Sequence, residues 1–152
     1  MKELYTKELN ITSSNEMISL GEKIGQMAFS GMIITLNGDL GAGKTTLTKG
    51  IAKALGITKI VNSPTFTIMK IYDGKYRLYH MDVYRINSSS DDFELEEYLY
   101  LDGVCVIEWA ERIKDLLPDN ILKIDILNTS ETERHVIISA SDIEYKNIIL
   151  KL

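Results

Sequence analysis

Residues 32–46 read MIITLNGDLGAGKTT. Residues 32–36 form a short apolar run, the pattern of a strand that is buried on both faces of a sheet. Residues 38–45 then fit G-x-x-x-x-G-K-[ST] at every fixed position. A helix is predicted from Lys44 to about Leu55, with Gly56 as its C′ glycine. A strand, a glycine-rich loop and a helix in this order are typical of a phosphate-binding loop, and the alternative is a glycine-rich turn without a ligand.

The chemistry of such a loop is suited to phosphate. Glycines let the backbone wrap so that successive N–H groups point at phosphate oxygens, and the N-terminus of the next helix adds positive potential. Lys44 is expected to reach the β- and γ-phosphates, the Thr45 hydroxyl to coordinate Mg²⁺, and Thr46 to donate to the α-phosphate. We therefore predict that ATP or a related nucleotide binds at Gly38, Asp39, Leu40, Gly41, Ala42, Gly43, Lys44, Thr45 and Thr46.

The composition is that of an ordinary globular protein. The chain has 152 residues, of which 45% are hydrophobic and 26% charged, and this length fits a single domain over residues 1–152. No apolar stretch approaches the roughly 20 residues that span a bilayer, and the start lacks the apolar run of a secretory signal. Cys105 is the only cysteine, so no internal disulfide forms, which fits a reducing compartment. We expect a soluble, cytoplasmic protein.

The charge balance bears on possible partners. The formal net charge is −5 and the pI is about 5.1, whereas a protein that grips nucleic acid by itself usually carries a basic patch. Autonomous tight binding to RNA or DNA is therefore disfavoured. A composite site made with a basic partner stays open.

Periodicity predicts the remaining elements. Ser13 and Glu16 form a capping box that starts a helix running to about Phe29. Strands are predicted at residues 2–9, 66–72, 75–86, 103–107, 121–127 and 134–139, and helices at 91–99 and 111–117. The pair Asp73-Gly74 predicts a type I′ hairpin turn, the last two strands an antiparallel pair at the end of the sheet, and residues 143–152 stay ambiguous. The order indicates a three-layer α/β/α sandwich of the P-loop NTPase type, with parallel central strands and antiparallel additions.

A carboxylate is predicted at the end of a neighbouring strand. Residues 104–107 are apolar and Glu108 follows them, at the edge of the sheet where ligands bind in open α/β folds. P-loop enzymes use a carboxylate there to hold Mg²⁺, directly or through water; the alternative is a cap on the next helix. Trp109 either closes over the nucleotide or packs in the core. Cys105 lies within the strand and is interpreted as a buried, inert thiol.

A second polar group lies on the predicted hairpin strand. Alternation places His80, Asp82 and Tyr84 on one face. Asp82 is a candidate to orient the attacking water or to help hold Mg²⁺, whereas a polar face exposed to solvent is the slightly favoured interpretation from spacing alone. The acidic run at residues 91–97 is interpreted as a solvated helix face.

Four motifs in this order resemble one family. They are GDLGAGKTT at residues 38–46, SPTF at 63–66, HMDVYR at 80–85 and IEW at 107–109. Together they resemble the TsaE (YjeE) family of small bacterial ATPases, over about residues 10–140. Ala110 departs from the pattern, since a proline commonly follows the tryptophan, and residues beyond about Ser141 carry no matching motif.

The resemblance implies a function beyond what the residues show. It implies an ATPase that acts with a TsaB–TsaD heterodimer in forming N6-threonylcarbamoyladenosine at position 37 of tRNA, with tRNA contacted only indirectly or in a composite site. TsaD carries out the transfer, and the ATP cycle resets the complex. By match, Lys44, Asp82 and Glu108 are catalytic, Thr45 and Glu108 are associated with Mg²⁺, Thr65 belongs to a switch-like loop and Trp109 lies near the nucleotide.

Two other functions compete. A small-molecule kinase adds an acceptor pocket and a lid bearing arginines, but only Arg77, Arg85, Arg112 and Arg134 are present, and they are scattered. A GTPase switch needs an Asn-Lys-x-Asp segment, and the sequence contains none. The favoured hypothesis is a slow ATPase that is stimulated by partner proteins.

Overall fold

Seven strands form one mixed sheet in the order β1-β7-β6-β2-β5-β4-β3 within the part of the chain described by this computed structural model. That part is residues 4–39, 41–64, 68–84, 94–99 and 101–152. The strands are β1 (Tyr5–Ile11), β2 (Met32–Gly38), β3 (Met69–Tyr72), β4 (Leu78–Asp82), β5 (Val104–Glu108), β6 (Leu122–Asn128) and β7 (Arg134–Ala140).

The centre of the sheet is parallel and its margins are antiparallel. Strands β6, β2, β5 and β4 run parallel to one another. On one side β7 pairs antiparallel with β6 and β1 pairs antiparallel with β7, and on the other side β3 pairs antiparallel with β4. The predicted α/β class with parallel central strands and antiparallel additions is confirmed. The predicted pair β6–β7 also forms, but not at the end of the sheet, because β1 pairs along the outer edge of β7.

Helices cover both faces of the sheet. They are α1 (Ser14–Gln26), α2 (Lys44–Ala54), α3 (Glu94–Leu99), a 3₁₀ helix (Ala110–Leu116) and α4 (Ile143–Leu150). One hydrophobic cluster joins α1, α2 and α4 to one face, and a second joins α3 and the 3₁₀ helix to the other. The three-layer arrangement follows from β2 and β5, whose apolar side chains are buried on both faces. None of the described helices is both long and apolar enough to cross a membrane.

Ser13 is the N-cap of α1, as predicted, while the Glu16 carboxylate of the predicted capping box accepts a hydrogen bond from the Thr12 hydroxyl. The Ser13 side chain accepts a hydrogen bond from the backbone N–H of Glu16. The helix ends at Gln26, earlier than the predicted end near Phe29, and Met27 occupies its C-cap. At the other end of the chain, α4 resolves the ambiguous tail: Asp142 caps it, and the hydroxyl of buried Tyr145 accepts a hydrogen bond from the N–H of Ile33 at 2.9 Å.

The predicted type I′ turn is wrong. Tyr72 pairs with Leu78, so residues 73–77 form a longer loop, and neither Asp73 nor Gly74 has the positive φ that a type I′ turn requires. A tertiary contact explains this difference, since the N–H of Lys75 donates to the carbonyl of Leu55 at 2.7 Å. The hairpin strands are accordingly shorter than predicted, and residues 66–67 and 85–86 of the predicted strands lie outside the described residues.

Two predicted helices differ in detail. The segment predicted at residues 111–117 is a 3₁₀ helix, interrupted at Ile113 by a non-helical backbone. The helix predicted at residues 91–99 corresponds to α3, and residues 90–93, with the predicted cap, lie outside the described part of the chain. The exposed side chain of Glu97 agrees with a solvated face for that helix.

Glycines bring α1 and α2 into close contact. A Cβ at Gly50 would lie 2.1 Å from the carbonyl oxygen of Ile18, and a Cβ at Gly21 would lie 2.2 Å from that of Leu47. Glycine inside a helix costs about 1 kcal/mol relative to alanine, so the two glycines are explained by this approach of the backbones. The contact sets the position of α2, whose N-terminus follows the glycine-rich loop.

Replacing Gly50 by alanine is expected to lower the free energy of unfolding by about 3 kcal/mol, because the added methyl meets backbone atoms that cannot turn away. Urea unfolding followed by the fluorescence of Trp109 measures the change. Lys49→Ala is the matched control, because Lys49 is an exposed neighbour on the same helix. A Gly50→Ala protein as stable as that control would show that the helices can separate at little cost.

Candidate functional site

Three parallel strands end together at one edge of the sheet. Leu36 of β2 lies opposite Glu108 of β5, and Glu108 lies opposite Asp82 of β4. The two carboxylates therefore occupy neighbouring strands at the same level, beside the loop that follows β2. Ligands of open α/β sheets bind at this edge, so the register supports the predicted position of Glu108.

The glycine-rich loop has the backbone that its sequence predicts. Gly41 and Gly43 adopt φ values of 80° and 110°, which favour glycine. The N–H of Ala42 donates to the carbonyl of Asp39 at 3.0 Å, and α2 starts at Lys44 directly after Gly43. The loop therefore delivers the N-terminus of α2 to the edge where the carboxylates lie. Leu40 lies outside the described residues.

Lys44 is a buried cation at the centre of the site. Its side chain is 6% exposed, and Nζ lies 3.8 Å from Oε1 of Glu108. The same Nζ lies 4.3 Å from the centroid of the Trp109 ring, within the range of a cation–π interaction. A carboxylate and an aromatic face thus offset the burial of this charge, which would be costly without partners.

Glu108 is held from its other side by a histidine. Oε2 of Glu108 lies 2.7 Å from Nε2 of His80, whose side chain is fully buried. Nδ1 of His80 is buried and has no hydrogen-bond partner among the described residues. Because an ionised carboxylate only accepts hydrogen bonds, Nε2–H of His80 is the donor and Oε2 of Glu108 the acceptor. His80 thus fixes the orientation of the carboxylate that faces Lys44.

Asp82 is buried, so the slightly favoured interpretation of a solvent-exposed face is wrong for His80 and Asp82, whereas Tyr84 is 49% exposed. Asp82 is 4% exposed and His80 is 0% exposed. Both faces of β4 are covered by packed elements, since Leu78 belongs to the cluster with α1 and α2, and Met81 to the cluster with α3 and the 3₁₀ helix. Oδ1 of Asp82 accepts a hydrogen bond from the N–H of Tyr84 at 3.0 Å, and this bond orients the carboxylate at the strand end.

Trp109 lies at the site in a left-handed conformation. Its φ is 61°, uncommon for a residue with a side chain, and its N–H donates to the carbonyl of Leu36 at 3.4 Å. The ring packs on Tyr84, with 4.8 Å between centroids, and the Arg112 guanidinium lies 5.2 Å from the Tyr84 ring centroid. Spacing left the place of Trp109 open between the site and the core, and the structure places its ring against Lys44.

A cavity of about 230 Å³ collects these groups. It is bounded on one side by the glycine-rich loop and the first turn of α2, and on the other by the two carboxylates and the indole. Its lining comprises Gly41, Gly43, Lys44, Thr45, Thr46, Ser63, Asp82, Glu108 and Trp109. The structure thus brings together most of the predicted site residues, while Thr65 lies outside the described residues. One cation, two carboxylates and a threonine hydroxyl in one cavity are suited to a phosphate ester with a divalent cation.

A larger cavity of about 350 Å³ lies across the loop. It is lined by the start of α1, by Gly41–Gly43 and by the turn between β6 and β7, including Arg134. In the sequence, Arg134 is one of four scattered arginines. No local pattern identifies it, because the strand that carries it reaches the loop only through the order of the sheet.

Cys105 is inert as predicted. It is buried within β5, and burial raises the pKa of its thiol to about 12. Its Sγ–H donates to the carbonyl of Tyr98 at 3.2 Å. A thiol in this state is a poor nucleophile at neutral pH, so the sulfur contributes packing and not chemistry.

Comparisons with known proteins agree on one family. A sequence model described as threonylcarbamoyl adenosine biosynthesis protein TsaE matches residues 11–136. The tRNA threonylcarbamoyladenosine biosynthesis protein TsaE of Bacillus subtilis is 45% identical over 153 residues, covering 100% of this chain and 95% of the relative. The Treponema pallidum protein of the same name is 39% identical over 129 residues, covering 84% and 96%. The crystal structure of Bacillus subtilis YdiB matches with a TM-score of 0.87 and 38% identity, covering 99% of this chain and 96% of that one.

Replacing His80 by leucine is expected to lower the free energy of unfolding by about 1–3 kcal/mol, because the buried Glu108 carboxylate loses its closest donor. His80→Gln is the matched variant, since glutamine carries an N–H donor at comparable reach, and it should retain more of the stability. Urea unfolding of the three proteins measures the difference. Equal stability of the leucine and glutamine variants would show that the hydrogen bond between His80 and Glu108 does not stabilise the fold.

Proposed function

Because this chain belongs to the TsaE family and is thus a protein of tRNA threonylcarbamoyladenosine biosynthesis, we propose that it hydrolyses ATP, with Mg²⁺, in that pathway. The observation that carries the proposal is the meeting of Lys44, Asp82 and Glu108 beside the glycine-rich loop. Family membership does not favour the small-molecule kinase that the sequence left as an alternative.

The loop is proposed to hold the phosphates of ATP. The backbone N–H groups of the loop and the N-terminus of α2 supply donors and positive potential. Lys44 supplies a full charge at the mouth of the same loop, and Thr45 and Thr46 follow it on the first turn of the helix. The proximity of Lys44 to Glu108 and Trp109 places its charge in the cavity before any phosphate arrives.

The donor set fits Mg²⁺. This ion prefers oxygen ligands and in nucleotide sites takes one or two protein oxygens together with phosphate oxygens and water. Thr45 and Glu108 both line the cavity and offer such oxygens, and Asp82 adjoins them. When bound, Mg²⁺ neutralises charge on the phosphates. Glu108 contributes directly or through water, with His80 holding its other oxygen.

The proposed reaction is the attack of water on the γ-phosphorus. A new P–O bond forms, the bond between the γ-phosphorus and the β–γ bridging oxygen breaks, and ADP and inorganic phosphate leave. Asp82 is proposed to orient the water and to accept its proton, because its carboxylate is buried at the end of β4 and is itself positioned by Tyr84. Lys44 stabilises the negative charge that develops on the phosphate oxygens.

The larger cavity is proposed to take the nucleoside. It lies across the glycine-rich loop from the carboxylates and has about 350 Å³ of space, within the range of small-ligand pockets. A nucleotide whose phosphates lie on the loop can therefore extend its base toward the start of α1 and the β6–β7 turn. The presence of a cavity on each side of the loop supports a nucleoside triphosphate over a simple phosphate.

The partners are proposed to be a TsaB–TsaD pair, in the cytoplasm where tRNA is modified. Three arginines of the described residues make other contacts: Arg134 donates to backbone carbonyls, Arg112 lies over Tyr84 and Arg77 pairs with Asp73. We therefore expect the protein alone to hydrolyse ATP slowly. In P-loop enzymes an arginine supplied in trans can raise the rate roughly 10³–10⁵-fold. The acidic pI of about 5.1 favours indirect contact with tRNA.

Lys44→Ala is expected to abolish measurable ATP hydrolysis while the protein stays folded, because the variant removes the charge that holds the phosphates. Phosphate release measures the activity, and circular dichroism checks the fold. Lys49→Ala, an exposed lysine on the same helix, is the matched control and should keep wild-type activity. Hydrolysis by Lys44→Ala at the wild-type rate would overturn the assignment of the site.

ATP hydrolysis by the purified protein is expected to be slow alone and to rise at least about tenfold when a TsaB–TsaD pair from the same source is added. Asp82→Asn should lose the stimulated activity, because the amide cannot accept the proton of the attacking water. Turnover that ignores the pair would contradict the proposed partnership. Stimulated turnover that survives in Asp82→Asn would contradict only the role of Asp82.

A further inference from the structure

Arg134 contacts the glycine-rich loop from β7, which is separated from β2 by β6 in the sheet. It is the first residue of β7 and is half-buried. Its Nε–H donates to the carbonyl of Ala42 at 3.1 Å, and Nη2 donates to the carbonyl of Gly41 at 3.4 Å. One side chain, distant in sequence, therefore binds two successive peptide carbonyls of the loop.

The same guanidinium also forms hydrogen bonds with the turn that precedes it, between β6 and β7. Nη1 donates to the carbonyls of Ser130 and Glu133, both at 2.9 Å, and to that of Glu131 at 3.3 Å. A planar guanidinium with five N–H donors can serve acceptors on two sides at once, which a lysine cannot do. Among the described residues, no carboxylate forms an ion pair with Arg134, so its charge is shared among backbone carbonyls beside the loop.

The contact with Ala42 has a direct consequence for phosphate binding. A trans peptide is planar, and its C=O and N–H point in opposite directions. The carbonyl of Ala42 and the N–H of Gly43 belong to one peptide, so a donor that fixes the carbonyl also fixes the direction of the N–H. Gly43 has a φ of 110°, in a region where glycine is otherwise free to move. The held peptide joins Ala42 to Gly43, and Lys44 is the next residue after it.

We propose that Arg134 is a positioning residue of the phosphate-binding loop, and this inference rests on the proposed function. Through the carbonyls of Gly41 and Ala42 it holds the loop in the conformation that presents N–H donors to phosphate. It also ties that conformation to the turn between β6 and β7, so the two walls of the larger cavity are connected by one side chain. Arg134 acts through the backbone and does not itself touch the reacting atoms.

The test compares Arg134→Met and Arg134→Lys with the control Arg77→Met. Methionine keeps much of the length of arginine but has no donor, and lysine keeps the charge without the planar fork. Arg77 lies in the loop between β3 and β4, where it pairs with Asp73 at 2.9 Å, away from the site. Calorimetry measures the Kd for Mg·ADP, and hydrogen exchange measures the protection of loop amides in the nucleotide-free protein.

Arg134→Met is expected to raise the Kd roughly ten- to a hundredfold over Arg77→Met, the loss that follows from removing charge-assisted hydrogen bonds. Exchange should accelerate in peptides that cover residues 41–47 and 129–134, with the central strands unchanged and the Tm within a few degrees of wild type. Arg134→Lys should recover only part of the affinity. This combination would separate positioning from general stability.

Three results overturn the inference. The first is an Arg134→Met protein that matches Arg77→Met in both affinity and exchange. The second is a loss of protection spread over the whole sheet together with a large fall in Tm, which marks a structural role. The third is full recovery by lysine, which reduces the effect to charge alone. If the wild-type protein does not bind Mg·ADP, the proposed function is overturned as well. If wild type and Arg134→Met bind Mg·ADP equally well, only the role of Arg134 is overturned.

Discussion

In the parallel part of the sheet, Leu36 lies opposite Glu108, and Glu108 lies opposite Asp82. Backbone hydrogen bonds set this register, and the buried apolar faces of β2 and β5 hold it, because a slip by one residue would turn each strand's side chains to the opposite faces. The position of both carboxylates relative to the glycine-rich loop depends on it. A change in register would separate Lys44 from Glu108 even if every residue of the motif were retained.

The charges at this edge form a connected set. Lys44 lies between Glu108 and Trp109, and Glu108 is held in turn by His80. Each buried charge therefore has a partner, which is the condition under which a protein interior tolerates ions. The same arrangement suits binding: the cation stands in the cavity at the start, and the carboxylate beside it keeps a fixed direction. A site prepared in this way needs little reorganisation when a charged ligand enters.

The glycine-rich loop is held from three directions. Strand β2 precedes it within the sheet, α2 follows it and is fixed by the close approach of Gly50 to α1, and Arg134 binds the carbonyls of Gly41 and Ala42 from β7. Glycines make the loop able to wrap a phosphate but also make its conformation costly to order. Contacts from separate parts of the chain offset that cost, and they explain how a flexible sequence keeps a defined shape.

The sequence by itself determined the loop, the helix that follows it, the apolar strands and the family resemblance. Each of these depends on short motifs whose residues are neighbours along the chain. The cap at Ser13 and the carboxylate at Glu108 belong to the same kind of local signal.

The places of His80, Trp109 and Arg134 were decided only by the tertiary structure. Alternation put His80 and Asp82 on one face but could not tell whether other elements would pack over that face. The hairpin loop departed from its predicted turn for a related reason, since the N–H of Lys75 donates to the carbonyl of Leu55, the C-cap of α2. Local patterns encode periodicity and turn preference, whereas the partner of a buried side chain depends on which distant strands become neighbours.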